Sequence, residues 1–237
     1  MPHSLPQSQK GILSGNALKL IAAITMLIDH IGMFFFPEYM FLRVIGRLSF
    51  PIYAFMIAEG CHYTKNRFRY YLGVFFLGIA CQTAYYIASR DTYCNILLTF
   101  SCSIVIIYLL QEWKSRQKYW LFLPFTAAIV FFYVVCQYVE FAYGFWGIMV
   151  PVFAAILQPQ RGKAISQPRN FLIVLFMGIS LLILSKDSHV VQYFGLVALP
   201  LLLLYSGNRG KGNYKYAFYL FYPLHLVALQ VIAWLLA

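Results

Sequence analysis

Long apolar runs separated by short polar loops make up most of this chain. Nine runs of about 15 to 20 residues can be counted, at 18–36, 48–62, 70–89, 95–111, 119–136, 143–157, 171–185, 190–205 and 217–236. A helix needs about 20 apolar residues to cross 30 Å of hydrocarbon, so the shorter runs predict tilted, re-entrant or partly buried helices. The pattern predicts an all-α membrane protein with about nine transmembrane helices.

The amino-acid composition argues against a soluble globular protein. Of the 237 residues, 62% are hydrophobic and 11% are charged, whereas soluble domains average roughly 45–50% and 25%. We therefore expect a short cytoplasmic segment at 1–17, followed by one polytopic transmembrane domain at 18–237. The first apolar run is too long for the core of a signal peptide, which predicts that it is retained as a span.

The cations alternate from loop to loop in the way that sets membrane topology. With a cytoplasmic N-terminus, inner loops carry 13 lysines and arginines and outer loops carry 4. The inner cations are Lys10, Lys65, Arg67, Arg69, Lys114, Arg116, Lys118, Arg161, Lys163, Arg169, Arg209, Lys211 and Lys215. This bias predicts an inner N-terminus and an outer C-terminus in a bacterial cytoplasmic membrane. The net charge of +11 then reflects topology and contact with anionic lipids, and nucleic acid is not an expected partner.

The familiar motifs of soluble enzymes and metal sites are missing from the sequence. It contains no Walker loop, GxSxG, HExxH or Rossmann fingerprint. Its five cysteines are odd in number, form no CxxC and lie mostly in apolar runs, so they are interpreted as small buried residues. Neither a disulfide framework nor a metal site is predicted.

Asp29 and His30 interrupt the first apolar run, LKLIAAITMLIDHIGMFFF. Ionisable groups inside a membrane cost several kcal/mol unless they face a polar interior, and they mark functional sites. His30 is the candidate catalytic base, because a neutral imidazole accepts a proton near neutral pH. Asp29 points about 100° away from His30 on a helix, so it is expected to pair with Arg43 or Arg47, as catalytic support or as a structural ion pair.

Lys19 precedes His30 by eleven residues, which returns it to within about 20° of the same helix face and about 16 Å along the axis. A cation at the cytoplasmic mouth in line with a buried base suits acyl-CoA, whose phosphates and thioester lie at opposite ends. An ordinary lysine that snorkels to the membrane surface is the alternative.

A second charged cluster follows in RVIGRLSFPIYAFMIAEGCHYTKNRFR. Arg43 and Arg47 share one helix face, as do Glu59 and His62. His62 is a candidate pocket residue and a second candidate for proton transfer. The arginines are predicted to stabilise an oxyanion or, alternatively, to anchor to lipid headgroups. With the loop cations, the candidate ligand-binding residues are Lys19, Arg43, Lys65, Arg67 and Arg69.

Further candidate pocket residues lie along the rest of the chain. Asn95 opens the fourth run and could serve only as a helix cap. Tyr143 opens the sixth run, near glycines that allow close helix packing. Tyr222 and His225 flank Pro223 in the last run, where a kinked helix can line a polar cavity or a histidine can simply pack.

Several short motifs, in order, resemble the TraX family of integral membrane proteins. They are LIDHIG at 27–32, RVIGRLSFPIYAF at 43–55, IAEG at 57–60, NILLTF at 95–100 and YPLHL at 222–226. The TraX protein of F-type conjugation is known as the pilin N-acetylase, which uses acetyl-CoA. The Lys19-x10-His30 spacing is also similar to the basic-x10-His pattern of membrane acyltransferases that O-acetylate cell-surface sugars.

The resemblance implies a membrane acetyltransferase with acetyl-CoA, or another acyl-CoA, as a donor substrate and no tightly bound cofactor. The acceptor would be a pilin-like peptide amine or a hydroxyl of an envelope glycan or lipid. His30, Asp29, Glu59 and Arg47 are the expected catalytic group, with transfer either direct or through acyl-His30. A proton-coupled transporter or channel remains an alternative, as does an assembly scaffold.

Overall fold

The computed structural model describes residues 11–90, 92–186, 190–212 and 214–236. These residues form helices and two isolated β-bridges, without a β-sheet among them. The α-helices are α1 (Gly15–Phe35), α2 (Met40–Gly46), α3 (Ser49–Tyr63), α4 (Arg67–Ser89), α5 (Ile96–Arg116), α6 (Phe122–Val135), α7 (Gly144–Ile156), α8 (Gln167–Lys186), α9 (Ala198–Leu203) and α10 (Lys215–Leu236). Two 3₁₀ helices, Tyr119–Leu121 and Val190–Val197, precede α6 and α9.

The helical membrane architecture agrees with the sequence, because every predicted apolar run overlaps a helix. Within the described residues, five helical stretches are long and apolar enough to cross a membrane: Gly15–Phe35, Met40–Tyr63, Arg67–Ile87, Ile96–Arg116 and Gln167–Lys186. The other apolar helices are shorter, so nine spans and the orientation of the termini stay predictions. The sequence did not predict α2, which precedes the second run and carries Arg43.

Polar side chains define where several helices begin. Ser14 accepts a hydrogen bond from the Ala17 amide at the start of α1, and Asn66 accepts one from the Arg69 amide at the start of α4. Such caps satisfy amides that have no partner within the helix. α4 ends at a left-handed Arg90. The helix boundaries thus follow capping chemistry more closely than the edges of the apolar runs.

The chain divides into two compact units, and the divisions fall within α3 after Met56 and within α8 after Ser180. Of the described residues, one unit contains 57–180. The other is discontinuous and contains residues 11–56 together with the described residues of 181–236. The single domain expected at 18–237 stays a prediction, and residues 1–10 of the expected N-terminal segment lie outside the described residues.

Within the unit at 57–180, α5 packs against α4, α6 and α7. Ser103 on α5 donates a hydrogen bond to the Ile148 carbonyl of α7 at 2.7 Å. The loops before α5 and α7 meet in a bridge between Cys94 and Phe141. Burial raises the pKa of the Cys94 thiol above its ordinary value, which makes this cysteine a poor nucleophile.

Within the discontinuous unit, α1 packs against α2 and α10. The segment before α1 pairs with the segment before α10, since the Leu13 amide donates to the Leu204 carbonyl at 2.9 Å and the Ser206 amide donates to the Leu13 carbonyl at 2.8 Å. α1 and α10 therefore start from one end of the unit and run in the same direction. This arrangement brings residues of the first and last helices together.

Reporter fusions test the predicted topology. We expect green fluorescent protein to fluoresce when joined after Arg209, in a predicted inner loop, and alkaline phosphatase to be active when joined after Leu236. The swapped reporters, phosphatase after Arg209 and fluorescent protein after Leu236, serve as matched controls and should be inactive. Phosphatase activity at both positions, or at neither, would show that the last apolar run does not cross the membrane between them.

Candidate functional site

The Asp29 carboxylate on α1 binds two arginines contributed by α2 and its C-cap. Arg47 Nη2 lies 2.8 Å and 2.9 Å from the two carboxylate oxygens. Arg43 Nη1 lies 3.2 Å from Asp29 Oδ2 and also donates to the Asp29 backbone carbonyl at 3.3 Å. The Arg47 contacts are charge-assisted hydrogen bonds, the stronger kind, and the Arg43 contact with the carboxylate is an ion pair. The predicted pairing of Asp29 with these arginines is therefore present in the structure.

Glycines allow the close approach of α2 to α1. A Cβ atom added to Gly46 would collide with the Asp29 side chain, and one added to Gly32 would lie 2.7 Å from the Leu42 Cβ. Arg47 Nε also donates to the Arg43 carbonyl at 3.2 Å, which satisfies a backbone group near the end of α2. The ion pairs of Arg43 and Arg47 with Asp29 thus hold the short helix α2 against α1.

His30 on α1 contacts His225 on α10, at a ring centroid distance of 5.0 Å. His30 Nδ1 lies 2.9 Å from the Met26 carbonyl and 3.2 Å from His225 Nε2. His225 Nδ1 in turn lies 2.8 Å from the Phe221 carbonyl, and its ring stacks on the Phe221 ring. Tyr222 packs edge-on against His225 at 5.9 Å.

The backbone carbonyls determine where the protons sit on the neutral imidazoles. A carbonyl only accepts, so Nδ1 of each histidine carries the hydrogen. His225 Nε2 then holds a lone pair and can share the His30 Nδ1 hydrogen with the Met26 carbonyl. The remaining His30 nitrogen, Nε2, holds a lone pair, which is the form required of a general base.

Lys19 and His30 both contact α10. The Lys19 ammonium lies 6.0 Å from the centre of the Phe218 ring, close enough for a cation–π contact. The structure thus places these two side chains on one face of α1, as the eleven-residue spacing predicts. Whether Lys19 binds a ligand stays a prediction.

In the other unit, Glu59 and His62 are buried at the end of α3. Gln158 Nε2 lies 3.4 Å from the Glu59 carboxylate, and His62 Nε2 lies 2.9 Å from the Lys163 carbonyl. The Gly162 amide donates to the His62 carbonyl at 3.2 Å. These bonds attach the loop between α7 and α8 to the end of α3.

A cavity of about 630 Å³ opens beside this loop, where α3, α5 and α7 end and α4 begins. Its cations are Lys65, Arg67, Lys114 and Arg161. The sequence predicts a ligand-binding role for Lys65 and Arg67, and for Lys114 and Arg161 only a role in topology. One sequence feature is common to all four cations and could have identified them together. Each follows an apolar run on the predicted inner side. Arg69, the remaining predicted loop cation, is exposed and does not line the cavity.

Asn95 and Tyr143 lie at the starts of α5 and α7. Asn95 accepts hydrogen bonds from the Leu97 and Leu98 amides and donates to the Gly78 carbonyl at 2.9 Å. These bonds give it the helix-capping role that the sequence left open. Tyr143 has a left-handed backbone with φ +62° and precedes the first residue of α7.

No group of three or more His, Cys, Asp or Glu side chains in the described residues could hold a metal ion.

A family model described as TraX protein matches residues 14–233. The chain belongs to the TraX family. The match includes both α1 and α10, which supply the two contacting histidines of this TraX chain.

Two relatives resemble this TraX chain over different lengths. A protein of Dichelobacter nodosus named "Probable fimbrial assembly protein FimC, serogroup H1" is 27% identical, covering 90% of this chain and 92% of its own length. An uncharacterized protein of Rickettsia prowazekii (strain Madrid E) is also 27% identical, covering 61% of this chain and 56% of its own. No solved structure matches the chain.

The segments that carry the TraX resemblance coincide with the contacts described above. LIDHIG contains Asp29 and His30, RVIGR contains both arginines and Gly46, and YPLHL contains His225. NILLTF begins with the α5 cap Asn95. The resemblance therefore falls on the ion-pair cluster, the histidine pair and a helix cap.

Removing Arg47 should destabilise the protein more than removing Arg43. The Arg47 and Arg43 side chains are 10% and 29% exposed, and loss of a buried partner leaves Asp29 uncompensated. We expect Arg47→Met to lower the free energy of unfolding by about 3 kcal/mol and Arg43→Met by less. Urea titration in mixed micelles, followed by circular dichroism, measures both.

A double-mutant cycle identifies the cause of that loss. In an Asp29→Asn background, Arg47→Met should cost at least about 1 kcal/mol less than it does in the wild type. Equal costs in both backgrounds would show that Arg47 acts through packing and not through its ion pair with Asp29.

Proposed function

We propose that this TraX protein is a membrane acyltransferase that transfers an acetyl group from acetyl-CoA to an amine or hydroxyl at the cell envelope. The observation that supports it is the hydrogen-bonded state of His30, whose Nδ1 faces the Met26 carbonyl and His225 Nε2. This state leaves Nε2 as the basic nitrogen. A general base of this kind contributes about 10²–10⁴-fold to a rate.

In the proposed reaction, an acceptor amine attacks the thioester carbon, and a C–N bond forms while the C–S bond breaks. His30 Nε2 removes the proton that the amine nitrogen loses, and that proton leaves on the CoA sulfur. The products are an amide and free CoA, with His30 returned to its neutral state. Direct transfer of this kind requires no acyl-histidine.

His225 would act as a positioning residue for His30. Its Nε2 accepts the shared Nδ1 hydrogen, which favours the His30 tautomer with a basic Nε2. The Phe221 carbonyl fixes the His225 ring in turn. The Asp29–Arg47 pair would hold the adjacent turn of α1 and leave His30 with little freedom to rotate.

For the acceptor, we propose a pilin-like peptide with a free N-terminal amine. The relative from Dichelobacter nodosus, which this chain matches over most of its length, is named for fimbrial assembly. Acetylation would remove the positive charge of that amine. Envelope glycans and lipids are the other acceptors to be compared in the assay.

The histidine contact also favours a second function. Two imidazoles with nitrogens 3.2 Å apart inside apolar helices could pass a proton, as in a proton-coupled transporter. Proton uptake into liposomes that persists without acetyl-CoA and is lost in His30→Ala would support this function. The assay below separates it from acyl transfer.

The acyltransferase proposal is tested with purified protein in nanodiscs, radiolabelled acetyl-CoA and a peptide bearing a free N-terminal amine. We expect His30→Ala to reduce kcat by about 10²–10⁴-fold. His225→Phe keeps an aromatic ring but removes the acceptor nitrogen, so kcat should fall about tenfold with little change in KM. Lys19→Ala should raise the KM for acetyl-CoA by up to about fivefold.

Ile24→Ala is the matched control, because Ile24 lies on α1 and is half exposed. It should retain wild-type kcat and KM. Transfer that survives His30→Ala within twofold would rule out His30 as the base. Absence of transfer to peptide, glycan and lipid acceptors alike would overturn the acyltransferase proposal and leave proton movement as the function to pursue.

A further inference from the structure

The cavity at the end of α3, α5 and α7 gathers cations from three separate segments. Lys65 and Arg67 come from the α3–α4 connection, Lys114 from the last turn of α5, and Arg161 from the loop after α7. Glu112 is the acidic residue of the lining. The four cations and one carboxylate leave a net of three positive charges around the cavity.

Two of these cations also hold the cavity wall in place. Lys114 Nζ donates to the Ile156 and Gln158 carbonyls at 2.8 Å and 2.6 Å. Arg161 Nη2 donates to the Thr64 and Lys65 carbonyls. A lysine has three donor hydrogens and an arginine five, so both retain donors beyond these bonds. These bonds thus connect the segments of the wall, and both cations keep donors for an anion.

Two buried polar atoms of the lining residues lack hydrogen-bond partners in the described part of the chain. They are Arg67 Nε, a donor, and Gln158 Oε1, an acceptor on a residue that is 3% exposed. Gln158 Nε2 faces the Glu59 carboxylate, which fixes the orientation of the amide and leaves Oε1 as the open acceptor. Buried polar atoms without partners are rare and point to an unseen ligand or water.

We propose that this cavity binds the phosphate-bearing nucleotide end of an acyl-CoA donor. A phosphate monoester carries close to two negative charges at pH 7, and a pyrophosphate adds more, which matches three net positive charges. Ribose hydroxyls and the adenine amino group donate hydrogen bonds, and Gln158 Oε1 can accept one of them. The volume of about 630 Å³ lies within the range of small-molecule sites.

An anionic lipid headgroup shares the phosphate chemistry but carries fewer charges, which is why the nucleotide is favoured. The identity of the ligand as a CoA donor depends on the proposed function. Binding of a phosphate-bearing nucleotide does not depend on it, because the cations and the buried Gln158 are present whatever the reaction is. Adenosine 3′,5′-bisphosphate tests the site without any acyl group or thioester.

The experiment measures binding of adenosine 3′,5′-bisphosphate to the full chain in phosphatidylcholine nanodiscs by isothermal titration calorimetry. We expect one saturable site per chain. Affinity should fall about tenfold in Arg67→Gln and in Arg161→Gln, because each change removes charge-assisted hydrogen bonds. Lys65→Gln, at an exposed position, should also weaken binding, and this variant keeps the test valid if an arginine variant fails to fold.

Arg116→Gln is the matched control. Arg116 binds the same Glu112 carboxylate as Arg67 but is exposed and does not line the cavity. It should leave the affinity unchanged within twofold, and His30→Ala should also leave it unchanged. Affinity that is equal in all variants would place the nucleotide elsewhere and overturn the assignment.

A second arm replaces part of the phosphatidylcholine with phosphatidylglycerol and follows the unfolding temperature. Stabilisation that depends on Lys65 and Arg67, with no binding of the bisphosphate, would identify a lipid headgroup site and overturn the nucleotide proposal. If neither the bisphosphate nor phosphatidylglycerol has an effect, the nucleotide proposal is also overturned. Acetyl transfer without bisphosphate binding would refute only the cavity assignment, whereas binding without transfer would refute only the proposed function.

Discussion

The Asp29 carboxylate is the constraint on which the first part of the structure depends. A charge inside an apolar helix requires a nearby countercharge, and here two arginines supply it from residues 14 and 18 positions later in the chain. Satisfying both contacts requires a short helix that turns back on α1, and a glycine at Gly46 where any side chain would strike Asp29. The glycine at position 46 follows from this one charge.

The cations of the two units have different kinds of partner. Around Asp29, opposite charges pair with one another and leave a compact group with one net positive charge. At the ends of α3, α5 and α7, Lys114 and Arg161 instead donate to backbone carbonyls, whose partial negative charge satisfies only part of each cation. The first arrangement stabilises a position, whereas the second retains a positive potential that can act on a ligand.

The apolar pattern predicted the helices, since membrane helices must be continuous and apolar to satisfy their backbones. It missed α2, because a seven-residue helix interrupted by Arg43 is too short to stand out as an apolar run. Helical spacing predicted the shared face of Lys19 and His30, and charge predicted partners for Asp29. The His30–His225 contact could not be predicted, because no local pattern relates residues 195 positions apart. Lys114 and Arg161 were missed because a topology-determining cation and a cavity cation look alike in sequence.

The discontinuous unit has a consequence for biosynthesis. Asp29 meets its arginines within the first fifty residues, so the charge in α1 is neutralised soon after that helix leaves the ribosome. His30 meets His225 only when the last helix has been made. At about 5 to 20 residues per second, translation of the intervening chain takes roughly 10 to 40 s. During that time α1 must remain in the membrane without α10, and a truncated product would contain His30 without His225, the residue that contacts it.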